Sequence, residues 1–128
     1  MQSAKRRRLE VLPGVRKADL KNVLFLCGRN LRRSPTAEQL FAKTPGIAVA
    51  SAGLNPDAEN PLTSDLLEWA DLVFVMEERH RRRLNKGLGP WLKDKRVISL
   101  DIPDDYEFMA PELVELLEKR VTGHLPRD

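Results

Sequence analysis

This sequence predicts an α/β fold, a four-stranded parallel sheet with helices on both faces. Three observations point there. Short apolar runs of strand length alternate along the chain with segments of helical period, the order expected of βαβ units. The runs are apolar through their middles, as in strands buried on both faces. Glycine, proline, asparagine and aspartate fall between them and keep each element short. Right-handed crossovers leave few topologies for such a chain, and ligands then bind at the carboxyl ends of its strands.

Residues 1–20 carry Lys5-Arg6-Arg7-Arg8, Pro13 and Gly14 with no sustained period. They are expected to form a basic extension outside the core, and residues 21–128 a single domain. The first strand is Val23–Leu26, running into Cys27. Pro35–Lys43 reads as a helix, with Ser34 as its N-cap and Pro35 in its first turn. Ile47–Ser51 is a second strand, interrupted by Gly53 and a loop rich in Asn, Pro and Asp. Leu62–Trp69 reads as a short helix capped by Thr63 or Ser64. Asp71–Met76 is the third strand. Glu77–Lys86 is a charged helix ended by Gly87, Gly89 and Pro90, its arginine-rich stretch 79–83 read as a solvent-facing surface. Arg96–Leu100 is the fourth strand. After a loop at 101–110, Pro111–Val121 forms the last helix, with Leu113, Leu116, Leu117 and Val121 directed to the core.

The 128 residues suffice for one domain with a real core. Hydrophobic residues make up 41% and charged residues 32%, the balance of a small protein with a heavily charged surface. The single cysteine excludes an internal disulfide and fits a cytoplasmic, reducing setting. No stretch approaches the ~20 apolar residues of a membrane span, and no apolar segment follows the basic N-terminus as in a secretory signal. Net charge is only +3, but the cations cluster at 5–8, at Arg29, Arg32 and Arg33, and at 79–83. Such clusters favour anionic partners.

Cys27 stands between the first strand and the first helix, and Arg33 follows six positions later. A thiol that attacks phosphorus needs help to ionise, which a helix N-terminus and oriented backbone N–H groups give. It also needs a loop whose N–H groups wrap a tetrahedral oxyanion and a planar cation that holds two oxygens at once. The loop Gly28-Arg29-Asn30-Leu31-Arg32-Arg33 supplies candidates for phosphate binding. Gly28 permits unusual backbone conformations, Asn30 tolerates the left-handed region, Arg33 is the clamp, and the Ser34 hydroxyl is within reach of the sulfur. The plain alternative is that Cys27 is a small buried hydrophobe. His80 and His124 are too few to suggest a metal site.

With these residues in view, the chain resembles the low-molecular-weight protein tyrosine phosphatase family. The resemblance is carried by Val23-Leu24-Phe25-Leu26-Cys27 through Arg33-Ser34-Pro35-Thr36-Ala37-Glu38. It is also carried by Ser51-Ala52-Gly53, by Trp69 through Glu77, and by Ile102-Pro103-Asp104-Asp105-Tyr106. It spans residues 21 to 122 in the same block order. The resemblance implies strand order 2-1-3-4 and a phosphatase-type loop. It implies Cys27 as nucleophile through a cysteinyl-phosphate, Arg33 as phosphate clamp, Asp104 as general acid and base, Asn30 and Ser34 as loop support, and Tyr106 as part of a substrate wall. No cofactor or metal is implied. The partner would be a phosphorylated protein, phosphotyrosine foremost, or a small phosphomonoester.

The chain also departs from that pattern. Arg29 stands where the family has glycine, and Arg32 where many members have a second cysteine, so an oxidised Cys27 would need an external thiol. Asp105 replaces a proline, leaving Asp101 and Asp105 as competitors of Asp104. The segment between Gly53 and Trp69 is short, which shortens a helix near the substrate side. Glu77 either supports the loop through a hydrogen bond or begins a solvent-facing helix. Three other functions stay open: an arsenate reductase with an outside thiol, a phosphate-reading module without catalysis, and an enzyme on nucleic-acid phosphate ends. Oligomeric state is not legible in the sequence.

Overall fold

A computed structural model of the chain describes residues 20–93 and 95–125. The expected basic extension, apart from Leu20, lies outside the described residues. Four strands form one parallel sheet: β1 (Lys21–Cys27), β2 (Ile47–Gly53), β3 (Leu72–Val75) and β4 (Arg96–Ser99). Their order is β2-β1-β3-β4, as expected. Four α-helices connect and cover them: α1 (Arg33–Phe41), α2 (Ser64–Trp69), α3 (Glu78–Leu88) and α4 (Pro111–Val121).

The continuous apolar runs are explained by two cores, one on each face. Val23–Leu26 in β1 and Leu24's neighbours in β3, Val73–Val75, are fully buried. Phe25 and Phe74 face α1 and α4, where Ala37, Phe41, Leu113, Leu117 and Val121 meet them. Phe25 stacks between Phe41 and Phe74, with ring centroids 5.9 and 5.4 Å away. Leu24, Leu26, Val73 and Val75 point the other way, toward Leu67 of α2 and Leu84 of α3. Leu116 is half-buried at the edge of the first core.

Several boundaries differ from expectation. β2 runs on to Gly53 because each residue from Ile47 to Gly53 pairs with β1. α2 starts at Ser64 rather than Leu62: the Leu62 N–H donates to the Gly53 carbonyl at 2.9 Å, and the Thr63 hydroxyl caps the helix by accepting from Leu66 N–H. α3 passes through Gly87 and tightens into a 3₁₀ turn at Gly89–Leu92. Ser34 is not an N-cap, because α1 already begins at Arg33, and Arg32 caps it without a side-chain bond. The 79–83 stretch is not a wholly solvent-facing surface, since His80 is buried within it. Among the described residues no helix is long and apolar enough to cross a membrane.

Candidate active site

β1 lies between β2 and β3, so the chain leaves it first to one side and later to the other. The carboxyl end of β1 is therefore the point where strand order switches, and Cys27 stands there, opposite Gly53 of β2. The chain turns from Cys27 through residues 28–32 into α1. That turn is pinned from outside. The carbonyls of Cys27, Gly28 and Arg29 accept from the N–H groups of Leu54, Asn55 and Glu59 at 2.9, 2.8 and 3.1 Å. In a trans peptide the next N–H points opposite to its carbonyl. The N–H groups of Gly28, Arg29 and Asn30 thus face away from the 54–59 segment, and that of Asn30 meets the Cys27 sulfur at 3.2 Å.

Glycine at 53 makes this close approach possible. A Cβ there would lie 2.5 Å from Ala58 Cβ, 2.8 Å from the Gly28 carbonyl oxygen and 3.0 Å from the Arg29 carbonyl carbon. Left-handed backbone is needed at Asn30 instead of Gly28: Asn30 has φ of 60°, and Gly28 is not among the positive-φ residues. Asparagine is one of the few side chains that accepts this conformation. Its Oδ1 also accepts the Ser34 hydroxyl at 2.8 Å, and Ser34 Oγ lies 3.0 Å from the Cys27 sulfur. One hydroxyl hydrogen is thus shared between the amide that shapes the loop and the sulfur at its centre.

Arg33 is buried, and its fork is fixed. Both acceptors of Nη1 are protein groups, Glu77 Oε2 at 2.5 Å and the Ile102 carbonyl at 2.8 Å. Nε and Nη2 remain as the pair that suits two oxygens of one phosphoryl group. Asp104 Oδ1 lies 3.7 Å from Nε, on that same side. Glu77 in turn is held by Arg79 Nε at 2.7 Å. Arg79 first, and Arg33 with it, hold the Glu77 carboxyl down at about 2 against the opposing effect of its partial burial.

Behind Glu77 sits His80, almost fully buried. Its Nδ1 accepts the Glu77 N–H at 3.2 Å, which leaves the hydrogen of a neutral ring on Nε2. That Nε2 has no partner among the described residues. Burial, reinforced by Arg33 and Arg79, pushes the imidazole down to about 4.

The sequence candidates divide accordingly. Cys27, Asn30 and Ser34 come together, and Arg33, next to Ser34 in the chain, has Asp104 beside it. Leu31 is exposed on the loop. Arg29 and Arg32 stand at its rim in loose ion pairs, Arg29 with Asp57 at 3.9 Å and Arg32 with Asp104 at 4.0 Å and Glu107 at 3.8 Å. Asp101 points elsewhere, accepting from the Ser99 hydroxyl, and Asp105 is exposed. Tyr106 packs half-buried against the core on the α1 and α4 side, and the exposed aromatic of this loop is Phe108. Of the two readings of Glu77, the loop-supporting bond is present, and Glu77 also caps α3. The pinning role of residues 54–59 and the Arg79 brace were not expected. The one signal for them was Ser51-Ala52-Gly53, a glycine at a strand end where backbones meet.

No family model matches the chain. It is 30% identical to the low molecular weight protein-tyrosine-phosphatase Wzb of Escherichia coli, over 66% of this chain and 78% of that protein. It is 31% identical to a protein-arginine-phosphatase of Bacillus subtilis, over 58% of this chain and 67% of that protein. A probable low molecular weight protein-tyrosine-phosphatase, EpsP of Ralstonia nicotianae, is 24% identical over 84% of this chain and 96% of its own length. Among solved structures, Wzb of Vibrio vulnificus in complex with benzylphosphonate shares the fold, with a TM-score of 0.68 at 22% identity, over 82% of this chain and 97% of that one. A YwlE mutant from Bacillus subtilis gives a TM-score of 0.60 at 25% identity, over 77% and 95%.

Proposed function

The chain belongs to the low molecular weight protein-tyrosine-phosphatase family of cysteine-dependent phosphatases, and from that premise we propose that it hydrolyses phosphotyrosine on protein through a cysteinyl-phosphate. The observation that supports this reading is the Cys27 sulfur at the end of β1 with the Asn30 N–H and the Ser34 hydroxyl against it, and next to Ser34 in the chain a buried Arg33 whose Nη1 is held by Glu77 and Ile102 and whose Nε has Asp104 beside it.

In the first step the Cys27 thiolate attacks phosphorus in line. The S–P bond forms as the P–O bond to the leaving phenol breaks, and Asp104 gives that oxygen its proton. The loop N–H groups and Arg33 hold the three equatorial oxygens, where charge concentrates during transfer. In the second step Asp104 takes a proton from water as the water attacks phosphorus. The S–P bond breaks, the thiolate returns and inorganic phosphate leaves. Ser34 steadies the sulfur in both steps by turning its hydrogen from Asn30 to the thiolate. The chemistry calls for no metal or cofactor. A lone cysteine so used suits the reducing cytoplasm.

The test is Cys27→Ser. Turnover of p-nitrophenyl phosphate is expected to vanish while inorganic phosphate still binds by calorimetry; turnover at the parent rate would refute the mechanism. A second substrate has its own support in the 31% identity to a protein-arginine-phosphatase. Transfer from the guanidinium nitrogen of phosphoarginine would use the same nucleophile and clamp, with Asp104 protonating nitrogen. Hydrolysis of phosphoarginine and phosphotyrosine peptides side by side separates the two.

A further inference from the structure

α3 carries four cations in one stripe. Arg79, Arg82, Arg83 and Lys86 recur at spacings of three and four residues, so they stand one above another along the helix. His80 and Leu84, on another side, bury into the protein. Arg79 braces Glu77. Arg83 donates to Asn55 Oδ1 at 2.6 Å and to the Leu54 carbonyl at 3.3 Å, both neutral, so its charge stays uncompensated. Arg82 and Lys86 are exposed and make no hydrogen bond or ion pair among the described residues.

Part of the stripe works against its own helix. Arg79, Arg82 and Arg83 stand in the first half of α3, where the helix dipole favours negative charge, and like charges three and four apart repel, while Glu78 attracts Arg82 and Lys86 suits the last turn. Helix stability alone therefore does not account for it. The stripe also joins the site at two points. Arg79 shares the Glu77 carboxylate with Arg33, and the Asn55 that Arg83 holds donates its N–H to the Gly28 carbonyl.

We propose that this stripe docks an acidic segment of the polypeptide substrate beside its phosphorylated residue. The proposal rests on the phosphatase reading for the place of the phosphoryl group and adds a preference for substrate sequence. Residues 79 to 86 span about 10 Å of helix, which an extended peptide covers in about three residues. A nucleic acid suits the surface less. The exposed Trp91 stands beyond the end of the helix instead of within the stripe, so no aromatic is interleaved with the cations to stack on bases.

The test compares two phosphotyrosyl peptides of equal length, one flanked by glutamates and one by glutamines, on the parent and on Arg82→Glu/Lys86→Glu. The parent is expected to favour the acidic peptide by about tenfold in kcat/KM, carried by KM, and the variant to lose that preference. Turnover of p-nitrophenyl phosphate should be equal in the two. Arg82→Ala/Lys86→Ala, which removes the charges without reversing them, should also lose the preference and melt within a few degrees of the parent. No preference in the parent, or a preference that survives both variants, overturns the proposal. If the parent turns over none of these substrates, the phosphatase reading fails, and binding decides the stripe. A fluorescein-labelled glutamate-rich peptide should then bind the parent in a salt-sensitive way and the charge-reversed variant at least about tenfold more weakly. Equal peptide binding overturns the proposal, as does a variant that loses only single-stranded RNA.

Discussion

The guanidinium of Arg33 and the carboxylate of Glu77, 44 residues apart in sequence, meet at 2.5 Å. Their side chains are 4% and 24% exposed, so the pair is largely withdrawn from solvent. With the Ile102 carbonyl on the same nitrogen, Glu77 dictates which edge of Arg33 faces the loop. In Glu77→Ala one Nη1 hydrogen loses its acceptor and the fork can rotate. We expect kcat/KM for p-nitrophenyl phosphate to fall by about 10- to 100-fold. Stability should fall by about 1–3 kcal/mol in urea unfolding. An unchanged kcat/KM would show that Arg33 needs no brace.

Acid should weaken the fold in two successive windows that overlap slightly near pH 4. His80 is held down to about 4 by burial and by Arg33 and Arg79, while an unfolded imidazole titrates near 6.5. Between these values the unfolded chain carries the extra proton, so stability falls as pH drops from 6.5 to 4 and then levels. Glu77, held at about 2 against an ordinary 4.5, adds stability above 4.5 that is lost as pH falls toward 2. The melting temperature followed against pH should decline through both windows. His80→Asn should remove the upper one and leave the lower. A profile flat from 6.5 to 4 in the parent would contradict the neutral, buried ring.

The three aspartates of the 101–105 segment should separate by function. Asp104 is the one beside Arg33 Nε, at 3.7 Å. Asp104→Asn is expected to lower kcat by about 10²- to 10⁴-fold, with the larger loss on phenyl phosphate, whose leaving oxygen needs a proton more than nitrophenolate does. Asp105→Asn and Asp101→Asn should stay within a few-fold of the parent. An equal loss at Asp101 would move the acid to that position.

Gly53→Ala should damage the loop from behind. Its new methyl would meet the Gly28 carbonyl oxygen at 2.8 Å, and backbone pinned by three hydrogen bonds yields poorly. The expected cost is about 1–3 kcal/mol by thermal or urea unfolding, with weaker binding of inorganic phosphate by calorimetry. A variant that matches the parent in both would mean that the loop and residues 54–59 separate freely.

Much of this molecule was legible in its residues. Apolar run length and the turn residues between runs mark the strands and helices, since burial on both faces demands continuous apolar strands. Cys27 at a strand end, Arg33 six positions later and Ser34 beside it fall in one continuous segment, so spacing alone predicts that they meet. The misjudged details lie where a distant backbone intervenes. Ser34 has the chemistry of an N-cap, but its hydroxyl is engaged by Asn30 and lies against Cys27. His80 looked like part of a charged face until the helix turned it inward.

The sequence by itself determined the α/β architecture, the strand order through its family resemblance, and the thiol–arginine loop. The architecture and the loop depend on local period or short spacing, and the strand order on the order of the blocks that carry the resemblance. Only the tertiary structure decided which aspartate stands by Arg33, that Glu77 and Arg79 brace it, and that residues 54–59 turn the loop carbonyls outward. Those relations join residues tens of positions apart through hydrogen bonds. Such bonds depend on where the sheet brings the ends of its strands together, and no single segment encodes that position.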